Sequence, residues 1–332
     1  MQQALEQFRV RMATANRRFI QDRVDEIEAR GLAREEVKWQ KMVEYRPIYL
    51  PNERENGFPP RLVDLPAAMD MDMGQVFPFP LDGVHPPRLR THEAREQFLD
   101  MLQQVFQQQA EEWAAERGQE APGLVPRCDE LGVFLQYAYA VEDPDFRLSA
   151  IPPFEPGPML LSEEQAALAE TQPERYRALV RKECAQVREY LESDGIGDLI
   201  HKSMAGPSVE SDDLEVKAGV ITGTGYIGEY PHWYSAYLYC RQRDDAVRDD
   251  AIPDAPNIRN WAWRVVVLDD KGDFPAPTVI YGRRPRFDSI PEFLDWYCSW
   301  PDYLDARRIR SLRRRAVTCE TDCESDCDLH LT

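Results

Sequence analysis

The sequence predicts an α+β fold: a mainly antiparallel sheet flanked by helices, with an additional helical region on its N-terminal side. Two observations carry this expectation. Up to Gly195 the apolar residues recur three or four apart, at helical spacing. Beyond it, "EVKAGVIT", "HWYSAYLYC", "AWRVVVLDD" and "PTVIYG" are short runs rich in Val, Ile, Tyr and Trp, separated by Gly, Asp and Pro, as strands joined by turns would be. Helices precede the strands as a block and one more follows, so the order is not that of an alternating parallel sheet.

The first helix places Leu5, Phe8, Met12, Ala15, Phe19, Val24 and Ile27 on one face and stops at Gly31. Residues 43 to 90 carry nine prolines, from Pro47 to Pro87, and read as an extended connector wrapped on a surface. A long helix follows from Thr91 to about Gly118, with Phe98, Leu102, Val105, Phe106 and Trp113 on its apolar face. After a second proline cluster, Ser162 and Gln165 form an S-x-x-Q capping box that opens a helical region reaching Ser193, which Pro173 is expected to split. Ser289 and Glu292 form another such box, and Pro301 marks the expected end of the helix that it opens.

The chain has 332 residues and a net charge of −19, from 59 acids against 40 bases. That balance argues against a general nucleic-acid binder, because a polyanion is repelled, and suits a basic protein partner. The charges scattered through the first 31 residues leave no secretory h-region, and no apolar stretch is long enough to span a membrane, so a cytoplasmic setting is expected. Cys128, Cys184, Cys240 and Cys298 are isolated and read as reduced core or helix residues.

Gly223, Gly225 and Gly228 have the G-x-G-x-x-G spacing of dinucleotide-binding enzymes. The spacing works only between a strand and a helix, whose N-terminal N–H groups hold phosphate. Here Glu229, Tyr230 and Pro231 follow, and then a β-rich run, so a glycine-rich turn between two strands is expected and no cofactor. His85, His92, His201 and His232 belong to no catalytic pattern, and the pairs Asp244–Asp245 and Asp269–Asp270 read as turn residues. The protein is therefore expected not to be an enzyme.

The segment "PTVIYGRRPRFDSIPEFLDWYCSWPDYLD", residues 277–305, leads from a strand into a short aromatic helix and resembles the closing strand and helix of the SUKH superfamily. "GLVPRCDELGVFLQYA", residues 123–138, is similar to that family's early helix, and "GYIGEYPHWYSAYLYC" with "NWAWRVVVLDD" to its central hairpin. The chain departs from the family in having "VEDPDF" where an Asn-Gly is usual, and in a helical insertion at 155–195. The resemblance implies a SUKH-like domain at 123–305, an N-terminal extension at 1–122 and a tail at 306–332. It also implies protein recognition without catalysis, either as an immunity protein against a basic toxin such as a nuclease or as a scaffold for signalling proteins. Candidate contact residues near the hairpin are Glu229, Tyr230, His232, Trp233, Asp244 and Asp245.

The tail opens with six arginines in nine positions, 307–315, a solvated helix face or a nucleic-acid contact. It ends in the fourfold-spaced repeat C-E-T-D, C-E-S-D, C-D. Cys319, Cys323, Cys327 and His330 offer a ligand set for zinc or copper(I). Thr321 and Ser325, each two residues before a cysteine, have the spacing for thioether closure in a modified precursor peptide. The third reading is a plain acidic tail.

Overall fold

The computed structural model describes residues 1–43, 61–68, 80–116, 118, 120, 124–142, 154–155, 161–193, 216–227, 232–242, 261–270, 278–279, 287 and 289–303. In chain order the helices are α1 (Gln2–Ala29), α2 (Glu35–Val43), a 3₁₀ turn (Leu62–Asp64) running into α3 (Leu65–Ala68), α4 (His92–Glu116), α5 (Asp129–Tyr137), α6 (Glu163–Thr171) and α7 (Pro173–Ser193). The strands β1 (Val216–Ile227), β2 (His232–Gln242), β3 (Trp261–Asp270) and β4 (Thr278–Val279) come next, and α8 (Ile290–Tyr303) closes the described chain.

The described part of the chain is mostly helical, which corrects the expected α+β fold built around an antiparallel sheet. Among the described residues helix outnumbers strand more than threefold. The strands pair as an antiparallel meander in the order β1-β2-β3-β4, at the margin of a core that the helices build. Of the strand side chains that the structure describes, Leu238 and Val265 are buried in that core and Trp263 packs against it. The expectation overweighted the β-branched runs and set the first helices aside as an extension. Leu5, Phe8 and Met12 of α1 and Phe98, Leu102, Val105 and Phe106 of α4 instead share one apolar core with Phe134, Phe154, Phe293 and Tyr297. Phe8 meets Tyr297 edge-on with ring centroids 5.5 Å apart, and Phe154 lies 5.3 Å from Phe134 and 5.2 Å from Phe293.

The far half of α1 belongs elsewhere. Ile20, Val24 and Ile27 join Trp39, Met42, Leu62 and Leu65 in a second, smaller cluster. Leu62 and Leu65 are fully buried there, so this part of the proline-rich connector is inserted into the protein and not wrapped on its surface.

Several local signals act as the sequence implies. Ser162 caps α6 by accepting the Gln165 N–H at 3.2 Å, and the Gln165 side chain accepts the Ser162 N–H at 2.9 Å. Pro173 begins α7 one residue after α6 is capped by Gln172, a first-turn position where its missing N–H costs nothing. Ser289 accepts the Glu292 N–H at 3.2 Å at the start of α8. That helix continues through Pro301 to Tyr303, beyond the expected stop.

The glycines differ from expectation. Gly223 and Gly225 lie inside β1, Gly223 where the register with β2 shifts, and Gly228 falls outside the described residues. The next described element after β1 is the strand β2. Asp269 and Asp270, expected in a turn, close β3 opposite Tyr234 and Trp233.

Candidate functional site

Of the sequence-predicted site residues, Glu229, Tyr230, Asp244, Asp245, Cys319, Thr321, Cys323, Ser325, Cys327 and His330 lie outside the described residues. His232 and Trp233 open β2, where their backbones pair with Ile227 and Tyr226. Two other concentrations of charge stand out, one inside the protein and one on its surface.

The inner one is organised by a strap, residues 80–91, laid across the segment 138–142. Gly83 has φ +69°, and a Cβ there would stand 2.2 Å from the Glu142 carbonyl oxygen, so the chain closes on itself only with glycine at this point. The Glu142 N–H donates to the Gly83 carbonyl at 2.8 Å and the His85 N–H to the Ala140 carbonyl at 2.9 Å, pairing Val84 with Val141, which in turn pairs with Phe154. Side chains then fasten the strap. Arg9 of α1 meets Asp82 at 2.8 Å, Asn16 donates to the Leu81 carbonyl at 2.6 Å, and His85 Nε2 lies 2.8 Å from Glu142 Oε1. The Glu142 side chain is only 4% exposed. The Arg88 guanidinium stacks 3.7 Å above the Tyr139 ring, while the Tyr139 hydroxyl donates to Glu155. Burial, with the adjacent Glu155 carboxylate, holds the Tyr139 hydroxyl far above its ordinary pKa, so it stays protonated. Tyr176 of α7 accepts the Arg90 N–H at 2.9 Å and donates to the Arg88 carbonyl at 3.1 Å.

Chemically this cluster is a fastener. Its acids, bases and hydroxyls are bonded to one another. Outside it, just before α5, burial pushes the Cys128 thiol far above its ordinary range, which makes it a poor nucleophile. The cluster was not legible in the sequence because its members lie far apart in the chain. Glu142 registered only as part of "VEDPDF", and His85 as a residue flanking prolines.

The outer concentration follows from the packing of α4 on α7. Glu93 meets Arg177 at 3.4 Å, Gln104 accepts from Arg188 at 2.7 Å, and Gln109 donates to the Leu191 carbonyl at 3.1 Å. The partners advance together along both helices, so α4 and α7 run parallel and their C-terminal ends lie side by side. Each end carries the partial negative charge of its helix dipole, about half an elementary charge. Neither helix has a base in its last turn. Exposed acids sit there instead, Glu116 on α4 and Glu192 on α7, with Glu111 and Glu112 on α4 and Glu189 on α7 exposed one turn earlier. Gln107 and Gln108 donate amide N–H groups to Glu111 and Glu112, and Arg188 lies 3.7 Å from Glu192. The result is a negative pole made by two helix ends and five carboxylates. Acid placed at a helix C-terminus opposes the dipole, so this arrangement lowers the stability of both helices.

Among the described residues no group of three His, Cys, Asp or Glu side chains is placed to hold a metal ion, and no helix is long and apolar enough to cross a membrane. No family model, no curated protein and no solved structure matches the chain. The SUKH resemblance thus rests on the three segments quoted above.

Proposed function

We propose that the protein is a non-catalytic binding module for a basic protein surface, and that the α4/α7 pole is where the partner engages. One observation carries this reading: five exposed acids are gathered in the last two turns of two adjacent helices, and two of them, Glu116 and Glu192, stand in the last turns, where they are unfavourable for the fold. Charges kept against stability are a mark of functional surface. The net charge of −19 adds a long-range field that speeds the encounter with a cation and rejects like-charged partners. The thiols of Cys128 and Cys184 are free and buried, which suits a reducing compartment and supports a cytoplasmic setting.

Immobilised full-length protein challenged with extract of its native host tests this. We expect a discrete basic protein to be retained, to elute as salt rises, and to be retained poorly by a variant with Glu111, Glu112, Glu189 and Glu192 changed to Gln. Retention that is insensitive to both salt and these substitutions contradicts the proposal. A nucleolytic or other toxic activity in the retained protein would point to immunity, and a signalling protein to a scaffold.

A further inference from the structure

The sheet turns one face to the helical core. Leu238 and Val265 stand opposite each other in the β2–β3 ladder and are both buried in that core. Trp263, two positions before Val265, packs against it, with its ring 4.8 Å from that of Phe106 on α4. Strand positions alternate between faces, so the register also fixes which positions belong to the other face. Its two middle rows are apolar on β3, with Val266 opposite Tyr237 in one and Leu268 opposite Ser235 in the next. The flanking rows carry opposite charges: Arg264 opposite Tyr239 towards one end, and Asp270 opposite Trp233 towards the other. Among the described residues, α4 and α8 are the helices that pack most on the strands, and both belong to the core side.

We propose that a second copy of this chain stacks on this outer face, sheet on sheet, about a two-fold axis that crosses the strands at the level of Val267. Such an axis reverses strand direction while keeping β3 over β3. Val266 then lies over Leu268 of the other copy and Arg264 over its Asp270, and each contact occurs twice. An axis along the strands would instead keep the arginine end over the arginine end. The spacing argues for an identical chain: Arg264 and Asp270 stand at equal distances on either side of Val267, so the face is complementary to itself. Stacked sheets lie about 10 Å apart with strand directions within about 30°. The helical cores lie on the two outer sides of such a sandwich, which keeps the negative α4/α7 poles away from the contact.

The available area sets the strength. Three strands about 4.8 Å apart, paired along β2 and β3 for some ten positions of about 3.3 Å each, give a face of roughly 14 by 33 Å. Two copies would cover roughly 950 Å² in all, at the lower limit of a specific interface, so the dimer should be weak and reversible. Two chains of net charge −19 repel over a Debye length of about 30 Å in 0.01 M salt and about 8 Å in 0.15 M, so association should strengthen across that range. Capture of a basic partner at the pole should weaken instead, which keeps the two readings separable.

The test is a charge swap read by sedimentation velocity of the full chain in about 0.15 M salt. Arg264→Asp alone sets acid over acid, Asp270→Arg alone sets base over base, and a chain with both substitutions restores opposite charges. We expect a reversible dimer of the natural sequence, roughly a tenfold or greater loss of self-association in either single variant, and recovery in the double variant. Circular dichroism melting checks that each is folded. Should a charge reversal unfold the sheet, a Val266→Thr, Leu268→Thr chain keeps the strand preference and should weaken the dimer without repelling. A natural chain that stays monomeric into the high-micromolar range overturns the proposal and points to a cover from within the chain. A dimer that ignores these substitutions also overturns it, as does loss in both single variants without recovery in the double one.

Discussion

The strap cluster and the α4/α7 pole both concentrate charge, but they treat it in opposite ways. Under the strap, Glu142 lies against His85, Glu155 against Tyr139, Arg88 on the Tyr139 ring and Asp82 against Arg9. At the pole, Glu111, Glu112, Glu116, Glu189 and Glu192 are exposed beside two helix ends of their own sign. Inside the protein a charge must find a partner, because an unpaired buried ion costs several kcal/mol. Outside, water supports it, and a surplus persists even where the helix dipole opposes it. The contrast separates fastening from function: strap substitutions should change stability and leave partner capture intact, and pole substitutions should do the reverse.

The largest effect is expected at the strap. Gly83→Ala forces an unfavourable φ and sets a Cβ against the Glu142 carbonyl, so chemical denaturation should show a loss of more than about 2 kcal/mol. His85→Ala removes the imidazole from a buried carboxylate. Removing one partner of a buried hydrogen-bonding group costs about 1–3 kcal/mol, and the loss here should fall in that range because Glu142 keeps a further contact. If His85→Ala melts like the natural chain, the strap is not the fastener described.

At the pole, the Gln substitutions at 111, 112, 189 and 192 each remove an exposed charge of about 0.2–1 kcal/mol in a contact, so together they should weaken the partner roughly tenfold. Thermal melting of the same variant should show a small rise, since the loss of Glu192, in the last turn of α7, relieves about 0.3–1 kcal/mol of dipole repulsion. A fall in melting temperature would mean that these acids serve the fold.

Smaller effects sharpen the comparison. Ser162→Ala deletes one capping bond of α6 and should cost about 1 kcal/mol in denaturation, with partner capture unchanged. Glu130 lies between the two regimes, half-buried and accepting the Ile290 N–H at 2.8 Å. Burial raises its pKa and the Ile290 N–H lowers it by less. With the folded value above the unfolded one, ionised Glu130 lowers stability at neutral pH, and that penalty disappears as pH falls below the unfolded value. Glu130→Gln keeps the acceptor, so it should raise the melting temperature slightly at pH 7 and not near pH 3. An equal gain at both pH values would show that charge is not the cause.

The helices were legible because their signals are local: the apolar spacing of Leu5, Phe8 and Met12, the Ser162–Gln165 box and the break at Pro173 all lie within a turn or two. What those helices pack against was not. That Phe8 meets Tyr297, 289 positions along the chain, follows from no local pattern, and so the fold class was misread as a sheet with a helical extension. The same distance hid the candidate sites. The strap joins residues 82–88 to 139–155, and the pole exists only because α7 returns parallel to α4. In sequence, Glu111, Glu112 and Glu116 are an ordinary charged helix end.

The central claim is that this protein works through exposed negative charge, and the salt dependence of partner binding tests it most directly. Calorimetric titration of the retained basic protein into the full chain, from about 0.1 M to about 1 M salt, spans a fall in Debye length from about 10 Å to about 3 Å. The account predicts affinity that drops steeply over this range for the natural chain and only shallowly for the Glu111, Glu112, Glu189 and Glu192 to Gln variant. Affinity that holds or rises with salt, equally for both chains, would contradict it.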